Sequence, residues 1–240
     1  MSISEEKTIA DIVAENIKTS HIFKKHGIDF CCGGGITVQK ACEKKGIDYN
    51  ILAEELHRFD MNVEEDYDYL NWPLDVLIDH IVAVHHIYVA ESIPLLLQYV
   101  KKVAKVHGHH YTELLKIRDL FIEVSEELSA HMKKEEMVLF PFIKNMVQTE
   151  KEGGKLDTPH FRTVENPIAM MESEHEDAGD IFKEIARLTN NYTPPEGACN
   201  TFRALYDKLE EFEQDLHTHI HLENNILHPK ALKLEKALRN

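Results

Sequence analysis

The chain has 240 residues, with 42 Asp and Glu against 27 Lys and Arg, and a formal net charge of −15. A chain of this length can bury a substantial core and has room for one medium domain and a small second one. The excess of negative charge argues against nucleic acid or an anionic membrane surface as the main partner. The composition therefore predicts a water-soluble protein that binds neither nucleic acid nor membranes.

The first residues and the cysteines indicate the compartment. Residues 1–6 lack a basic region followed by an apolar one, so no secretory signal peptide is expected, and no stretch is expected to be long and apolar enough to span a bilayer. Cys31 and Cys32 are adjacent, whereas Cys42 and Cys199 are scattered and are interpreted as structural. This is not the pattern of a secreted disulfide framework. Together these features predict a cytoplasmic protein.

The pattern of elements predicts an all-α fold with a small N-terminal helical domain. Residues 1–60 form short helical segments broken by glycines, and residues 61–72 are an acidic, aromatic linker. Residues 73–240 then form a four-helix bundle that Pro73 can open, because proline is tolerated in a first helical turn. Asn166-Pro167 is the predicted cap and start of the third long helix. The four long helices are expected at roughly 73–105, 112–148, 166–189 and 199–235.

The long helices carry polar side chains on their inward faces. In the second and fourth helices, apolar residues alternate at spacings of four and three, which predicts one buried stripe on each. A His and a Glu four residues apart project from the same helix face, so both can reach one centre. The polar residues that interrupt the inward faces are His86, His131, Glu135, His175, His219 and Glu223.

These six residues form a repeat with a common register. His86, His131 and Glu135 recur about 88 residues later as His175, His219 and Glu223. In an up-down bundle, residues at equal depth on consecutive helices lie equally far from the turn that joins them. The midpoints between successive histidine levels fall near positions 109, 154 and 198, and all three coincide with loop signals. The six side chains are therefore predicted to meet in one layer.

A shared metal centre is the interpretation that these residues favour. Burying an unpaired carboxylate costs several kcal/mol and two at one level repel each other, so cations would remove both penalties. Four imidazoles and two bridging carboxylates would give each of two metals two nitrogens and two oxygens, and an oxo or hydroxo bridge would make each five-coordinate. This donor set favours two iron ions, with zinc, manganese or copper as alternatives, although zinc usually prefers a less crowded tetrahedral site. An open position indicates dioxygen, nitric oxide or electron chemistry.

Several alternatives stay open at this point. His85 competes with His86 for the ligand position, and a lone inward histidine is more often a hydrogen-bonded core residue. A purely structural bundle without metal is another interpretation. The histidines of segment 107–110 are expected in a solvated turn. Glu127, one turn before His131, and Glu174, beside His175, are candidates to support the ligands or relay protons. Prolines ten residues after His131 and His219 are predicted to kink or end their helices.

Four segments carry a resemblance to a known family. They are Asp29-Phe30-Cys31-Cys32-Gly33-Gly34, Ser129-Ala130-His131-Met132-Lys133-Lys134-Glu135-Glu136, Met171-Glu172-Ser173-Glu174-His175 and His221-Leu222-Glu223-Asn224-Asn225. The chain resembles hemerythrin-like di-iron proteins and, more narrowly, the bacterial "repair of iron centres" family over nearly its whole length. The resemblance implies two oxo- or hydroxo-bridged iron ions per chain, with the six residues above as ligands. It also implies a cytoplasmic homodimer that repairs iron–sulfur clusters after nitrosative or oxidative stress.

The resemblance leaves the activity open. Damaged iron–sulfur proteins would be the partners, nitric oxide or dioxygen the small ligands, and repair would proceed by iron donation or nitric oxide handling. A non-enzymatic iron donor is favoured over a nitric oxide reductase-like activity. The alternative is a hemerythrin-like protein that binds or senses oxygen, nitric oxide or iron without repair. Oxygen-carrying hemerythrins have a further histidine where this chain has Gly179, and an aspartate five residues after the last histidine, whereas Glu223 follows His219 by four.

The paired cysteines are a second candidate site. Cys31 and Cys32 lie in a glycine-rich turn before a helix predicted at 36–45, and the basic segment 24–26 is close in sequence. Amides of such a turn and of a helix N-terminus would stabilise thiolates and lower their pKa. The hypothesis is that this pair handles iron, nitric oxide, persulfide or electrons. The alternative is two small buried residues at a tight turn.

Overall fold

The computed structural model describes residues 4–60 and 68–239, so residues 61–67 of the predicted linker lie outside the described residues. Within the described ranges the secondary structure is helical, and the only extended pairing is an isolated bridge between Thr8 and Thr37. The all-α prediction is confirmed.

The helices are short in the N-terminal part and long afterwards. The α-helices are α1 Ile9–Glu15, α2 Ser20–Lys25, α3 Val38–Lys45, α4 Tyr49–Asp60, α5 Leu74–His80, α6 Ile87–His107, α7 Glu113–Lys134, α8 Phe140–Glu152, α9 Glu165–Leu188, α10 Asn200–Leu222 and α11 His228–Arg239. Single 3₁₀ turns occur at Ile17–Thr19 and Tyr69–Asn71. Three π-helical segments lie at Ile81–His86, Glu135–Leu139 and Glu223–Leu227.

The chain divides into two compact units. The first unit comprises Met1–Ile78, Met146–Asp157 and His217–Asn240, and the second comprises Asp79–Asn145 and Thr158–Leu216. The domain division predicted from sequence, at 1–60, 61–72 and 73–240, stays a prediction.

In the first unit, side-chain caps set where the short helices begin. Thr8 Oγ1 accepts a hydrogen bond from the Asp11 amide (3.1 Å) and Asp11 returns one to the Thr8 amide (3.3 Å), which closes a capping box at the start of α1. At α3 the Thr37 hydroxyl accepts a single capping hydrogen bond from the Lys40 amide (3.3 Å), so the helix begins two residues later than the sequence pattern predicted. Gly46 ends α3 in the left-handed region, with φ +67°. Helix α1 packs against the 3₁₀ turn Tyr69–Asn71 and the π segment Glu223–Leu227.

In the second unit, aromatic side chains hold the long helices together. Helix α7 packs against both α6 and α9. The ring of Phe212, from α10, lies 5.8 Å from Phe121 of α7 and 5.6 Å from Phe182 of α9, and all three side chains are fully buried. Aromatic pairs at such separations contribute beyond their buried area, and removing one such ring costs about 3–5 kcal/mol.

Two predictions about helix boundaries need correction. Helix α9 begins at Glu165, and the Asn166 side chain donates to the Phe161 carbonyl (2.8 Å), so it does not cap the helix. Pro167 lies in the first turn, where its missing N–H has no helical partner to lose. Neither Pro141 nor Pro229 ends its helix, because each follows a π segment in which the hydrogen-bond register has already changed.

One helical stretch contradicts the expectation that no segment could span a bilayer. Leu74–His107 runs for 34 residues and contains an 18-residue window of mean hydropathy 1.4, of which 39% is buried. By length and composition alone it could cross a membrane, since Glu91 is the single charged residue between positions 80 and 100. A core helix of a soluble protein meets the same criteria, and part of this stretch, α6, packs against α7.

Candidate metal centre

Three predicted ligands come together in the second unit. His131 at the end of α7, Glu135 one turn later and His175 of α9 are all buried, and their ligand atoms lie within 4.8 Å of one another. The Nε2 atoms of His131 and His175 are 3.0 Å apart, and His131 Nε2 is 3.3 Å from Glu135 Oε2. The structure therefore places two imidazoles and one carboxylate around a common point.

His86 approaches the same carboxylate. Its Nε2 atom is 3.3 Å from Glu135 Oε2, and its ring stacks on Phe140 at a centroid distance of 5.6 Å. The neighbouring His85 is also buried, but its Nδ1 atom lies 2.9 Å from Asp215 Oδ1. Of the two adjacent histidines, His86 is thus the one that faces Glu135.

Carboxylates also contact the opposite nitrogens of these rings. His86 Nδ1 is 2.7 Å from Glu136 Oε1, and His131 Nδ1 is 2.8 Å from Glu174 Oε2. Burial raises the pKa of Glu174, but hydrogen bonds from Lys134 and His131 outweigh it and hold that pKa below its ordinary value. A carboxylate on the far nitrogen fixes the tautomer and orientation of a metal-binding histidine. Sequence reasoning named Glu174 as a support residue and missed Glu136.

The hydrogen-bonding pattern fits a cation. If the Nδ1 atoms of His86 and His131 donate their protons to carboxylates, each neutral ring presents an Nε2 lone pair. Both lone pairs then face the carboxylate of Glu135, whose side chain is fully buried. Acceptors that face one another repel unless a positive charge lies between them. Converting both rings to imidazolium ions would instead bury two positive charges against a single carboxylate, at a desolvation cost for each charge.

The second His–Glu pair lies in the first unit. His219 Nε2 is 3.1 Å from Glu223 Oε1, and both side chains are buried. His219 belongs to the last turn of α10 and Glu223 begins the π segment that follows. This arrangement matches that of His131 and Glu135, since Glu135 also begins a π segment at the end of its α-helix.

The cysteine turn differs from the expectation. Asp29 Oδ1 accepts hydrogen bonds from the amides of both Cys31 and Cys32, at 3.1 Å each, and lies 3.3 Å from Cys31 Sγ. The amides expected to stabilise thiolates are therefore used by a carboxylate. The hydrogen bond with Cys32, burial and the charge of Asp29 raise the pKa of Cys31 well above its ordinary value. The predicted lowering of the pKa is wrong for Cys31.

Two residues of the basic segment 24–26, near the cysteine turn, bond to a carboxylate. Lys25 Nζ lies 3.0 Å from both carboxylate oxygens of Glu55, and His26 Nε2 lies 3.1 Å from one of them. Hydrogen bonds from Lys25 and from His26 lower the pKa of Glu55. Lys25 thus forms an ion pair with Glu55 of α4 and His26 a hydrogen bond with it, so the charge of Lys25 is balanced there.

Within the first unit, the cysteine turn contacts the helical stretch that carries His219. Asn225 Nδ2 donates to the Cys31 carbonyl (3.2 Å) and lies 3.0 Å from His221 Nδ1. The Phe30 ring packs edge-on against His217 at 5.8 Å. Burial lowers the pKa of His221 to about 4, so this ring is neutral. Sequence reasoning missed these contacts, although the four-residue spacing of His221 and Asn225 places both on one helix face.

A cavity of about 300 Å³ lies in the second unit, between residues that follow Glu135 and residues that precede His175. Its lining is mostly apolar and includes Leu139 and Met171, which are each four residues from a predicted ligand, Glu135 or His175. Lys134, the residue that bonds to Glu174, also lines it. The cavity is large enough for a small apolar molecule.

Comparisons with known proteins agree with this site. Residues 5–60 match a family model described as "Domain of Unknown function (DUF542)", and residues 77–231 match "Hemerythrin HHE cation binding domain". The iron–sulfur cluster repair proteins YtfE of Yersinia pseudotuberculosis serotype IB (strain PB1/+) and Yersinia pestis (strain Pestoides F) are each 38% identical to this chain over 218 residues. The aligned region covers 91% of this chain and 93% of each relative.

The matched domain and the buried imidazoles and carboxylates define a helical bundle of the hemerythrin cation-binding class. More narrowly, the chain belongs to the family of the iron–sulfur cluster repair proteins YtfE. The predicted family and the hemerythrin-like bundle with a small N-terminal domain are confirmed.

Proposed function

We propose that this chain is a cytoplasmic, homodimeric di-iron protein that repairs iron–sulfur clusters damaged by nitrosative or oxidative stress. The observation that carries the proposal is the fully buried Glu135 carboxylate with the Nε2 atoms of His86 and His131 each 3.3 Å away. The names of the relatives supply the repair role, and their targets, damaged iron–sulfur proteins, are the proposed partners.

The proposed centre uses all six predicted ligands. Support comes from the sequence register that puts the six at one depth, and from the hemerythrin match, which spans all of them. The His–Glu pairs 131/135 and 219/223 have the same spacing, the same burial and the same position ahead of a π segment. The four imidazoles and two carboxylates would be the groups that hold two iron ions. When bound, the iron pair would supply electrons and open coordination positions for nitric oxide or dioxygen.

The protein side chains orient and protect this centre. Glu136 and Glu174 hold the rings of His86 and His131 through their Nδ1 atoms, and Lys134 in turn holds Glu174. The apolar cavity lined by Leu139 and Met171 is large enough for nitric oxide or dioxygen, and these two residues lie one helical turn from Glu135 and His175. We propose it as the route by which a diatomic ligand approaches the centre.

The cysteine pair is proposed to transfer iron, nitric oxide or electrons. Cys31 is buried and stays protonated because its pKa is raised, so its thiol can donate to the Cys32 sulfur, 3.9 Å away. Cys32 is more exposed and would therefore present the reactive sulfur. Asp29, at 3.3 Å from Cys31 Sγ, is placed to accept the proton when that thiol reacts.

The test is to load the purified chain with iron, measure the metal per chain, and add it to an enzyme whose iron–sulfur cluster has been damaged with nitric oxide. We expect two tightly held iron ions per chain and recovery of client activity, with Cys32→Ser slowing recovery more than Cys31→Ser. Fewer than one metal ion per chain would contradict the di-iron proposal. Full metal loading without any recovery would favour the alternative, a binding or sensing protein without repair activity.

The homodimer has its own test. Sedimentation velocity of the iron-loaded chain at several concentrations should give twice the mass of one chain. A monomer at every concentration would contradict that part of the proposal and leave the metal site untouched.

A further inference from the structure

Cys199, which the sequence pattern led us to interpret as structural, has an exposed thiol. In the described residues Cys31 and Cys42 are buried and Cys32 is intermediate, whereas Cys199 is exposed. Its Sγ atom lies 3.3 Å from Nε2 of His107, so the thiol is hydrogen-bonded to an imidazole. Both residues belong to the second unit. An exposed thiol beside an imidazole is the arrangement in which a cysteine becomes a nucleophile.

Neighbouring residues hold this pair in place. The ring of His107 packs against Phe202 at a centroid distance of 5.5 Å, which restricts its rotation. Cys199 immediately precedes α10, and its carbonyl accepts a hydrogen bond from the Arg203 amide (3.0 Å). The Arg203 guanidinium donates to the carbonyl of Ala198 (3.1 Å), so a positive charge lies close to the start of the helix. These contacts hold His107 and Cys199 next to each other at the start of α10.

We propose that Cys199 and His107 form a thiol-modification site that takes up one half of a low-molecular-weight disulfide. The site is independent of the metal centre and of the repair function proposed above. His107 Nε2 accepts the thiol proton, and the Cys199 sulfur attacks one sulfur of the small disulfide. The S–S bond of that disulfide breaks, a new S–S bond to Cys199 forms, and the other half leaves as a thiolate that takes the proton from the imidazolium. One disulfide replaces another, so no outside oxidant or reductant is required.

The test measures how fast the folded full-length chain reacts with dithiobis(nitrobenzoate), an aromatic disulfide that releases a coloured thiolate. Cys199→Ser should abolish the fastest phase, which identifies the reacting thiol. His107→Gln should slow that phase about tenfold near neutral pH, because the thiol then lacks its base. The matched control is His110→Gln on the same turn, which should leave the rate within about twofold.

The pH dependence separates a proton-accepting role from a structural one. In strongly alkaline solution every thiol is ionised, so the rates of the wild-type and His107→Gln chains should converge there. With glutathione disulfide, mass spectrometry should find one glutathionyl group at Cys199 of the wild-type chain. Circular dichroism on heating checks that each variant stays folded. A His107→Gln chain as fast as the wild type, a difference that persists at alkaline pH, or a fast phase that survives Cys199→Ser would each overturn the proposal.

Discussion

Glu135→Gln gives a direct test of the proposed centre, because it removes one charge and one donor oxygen without changing the shape of the side chain. In the wild type, a metal present at a hundredfold excess over its dissociation constant stabilises the folded chain by about 2.7 kcal/mol. For a chain of this size each kcal/mol raises the melting temperature by about 2–4 °C. Iron should therefore raise the wild-type melting temperature by roughly 5–10 °C. For Glu135→Gln we expect less than about 2 °C.

Two further substitutions are compared with Glu135→Gln by the iron-dependent shift in melting temperature. Glu136→Gln removes the negative charge next to His86 Nδ1 but no proposed ligand, so iron affinity should fall by about 10–100-fold and the iron-dependent shift should be intermediate. Glu150→Gln changes an exposed carboxylate of α8 and should leave the shift at its wild-type value. Differential scanning calorimetry with and without anaerobically added iron measures all three. A Glu135→Gln chain that keeps the full iron-dependent shift would refute the assignment of this carboxylate as a ligand.

Three further perturbations test other parts of the structure. Glu174→Gln should weaken iron binding about tenfold, measured by competition with a chelator, because the carboxylate that orients His131 is lost; unchanged affinity would contradict its orienting role. Asn225→Leu removes the side chain that donates to the Cys31 carbonyl, so amide hydrogen exchange in residues 30–34 should accelerate while exchange in α7 does not. Equal exchange rates for residues 30–34 in the wild-type and variant chains would contradict the contact. Hydrogen bonds from Arg187 and Lys116 lower the pKa of Glu184 to about 2. Because this pKa is lower in the folded chain, the carboxylate stabilises the folded state at pH values above its ordinary pKa of 4.5. That contribution is lost as the pH falls from about 4.5 towards 2. Glu184→Gln should flatten the acid side of the stability profile measured by urea denaturation, and an unchanged slope would show that the ion pair contributes nothing.

The sequence was informative about the ligands because two independent patterns coincide at them. Apolar residues repeat along each inward stripe, and a polar residue in such a stripe must be compensated when it is buried. The structure buries all six predicted side chains, and it surrounds Glu135 with His86 and His131 in the second unit. Periodicity also predicted where each long helical stretch begins and ends to within a few residues.

Sequence reasoning missed the hydrogen bonds that depend on which of several nearby side chains bonds to a given polar group. The amides of Cys31 and Cys32 were expected to face thiolates, but Asp29, two residues earlier, bonds to both. Glu136 was not singled out from the sequence, yet it reaches the far nitrogen of His86. Such choices depend on side-chain rotamers and on packing between helices, which one-dimensional spacing does not contain.

The π segments link the backbone of this protein to its proposed chemistry. Glu135 and Glu223 each begin one, and each segment is followed two residues later by a proline. In an α-helix the proline nitrogen would be the donor for the carbonyl four residues earlier, which is that of Met137 or Asn225, and proline has no hydrogen to give. A wider turn lets the following residue supply that hydrogen bond instead. The prolines therefore favour a wider turn just after each buried carboxylate, so the backbone irregularity recurs where the His–Glu pairs recur. His86 ends the third π segment, which has no proline directly after it, so that segment needs another cause.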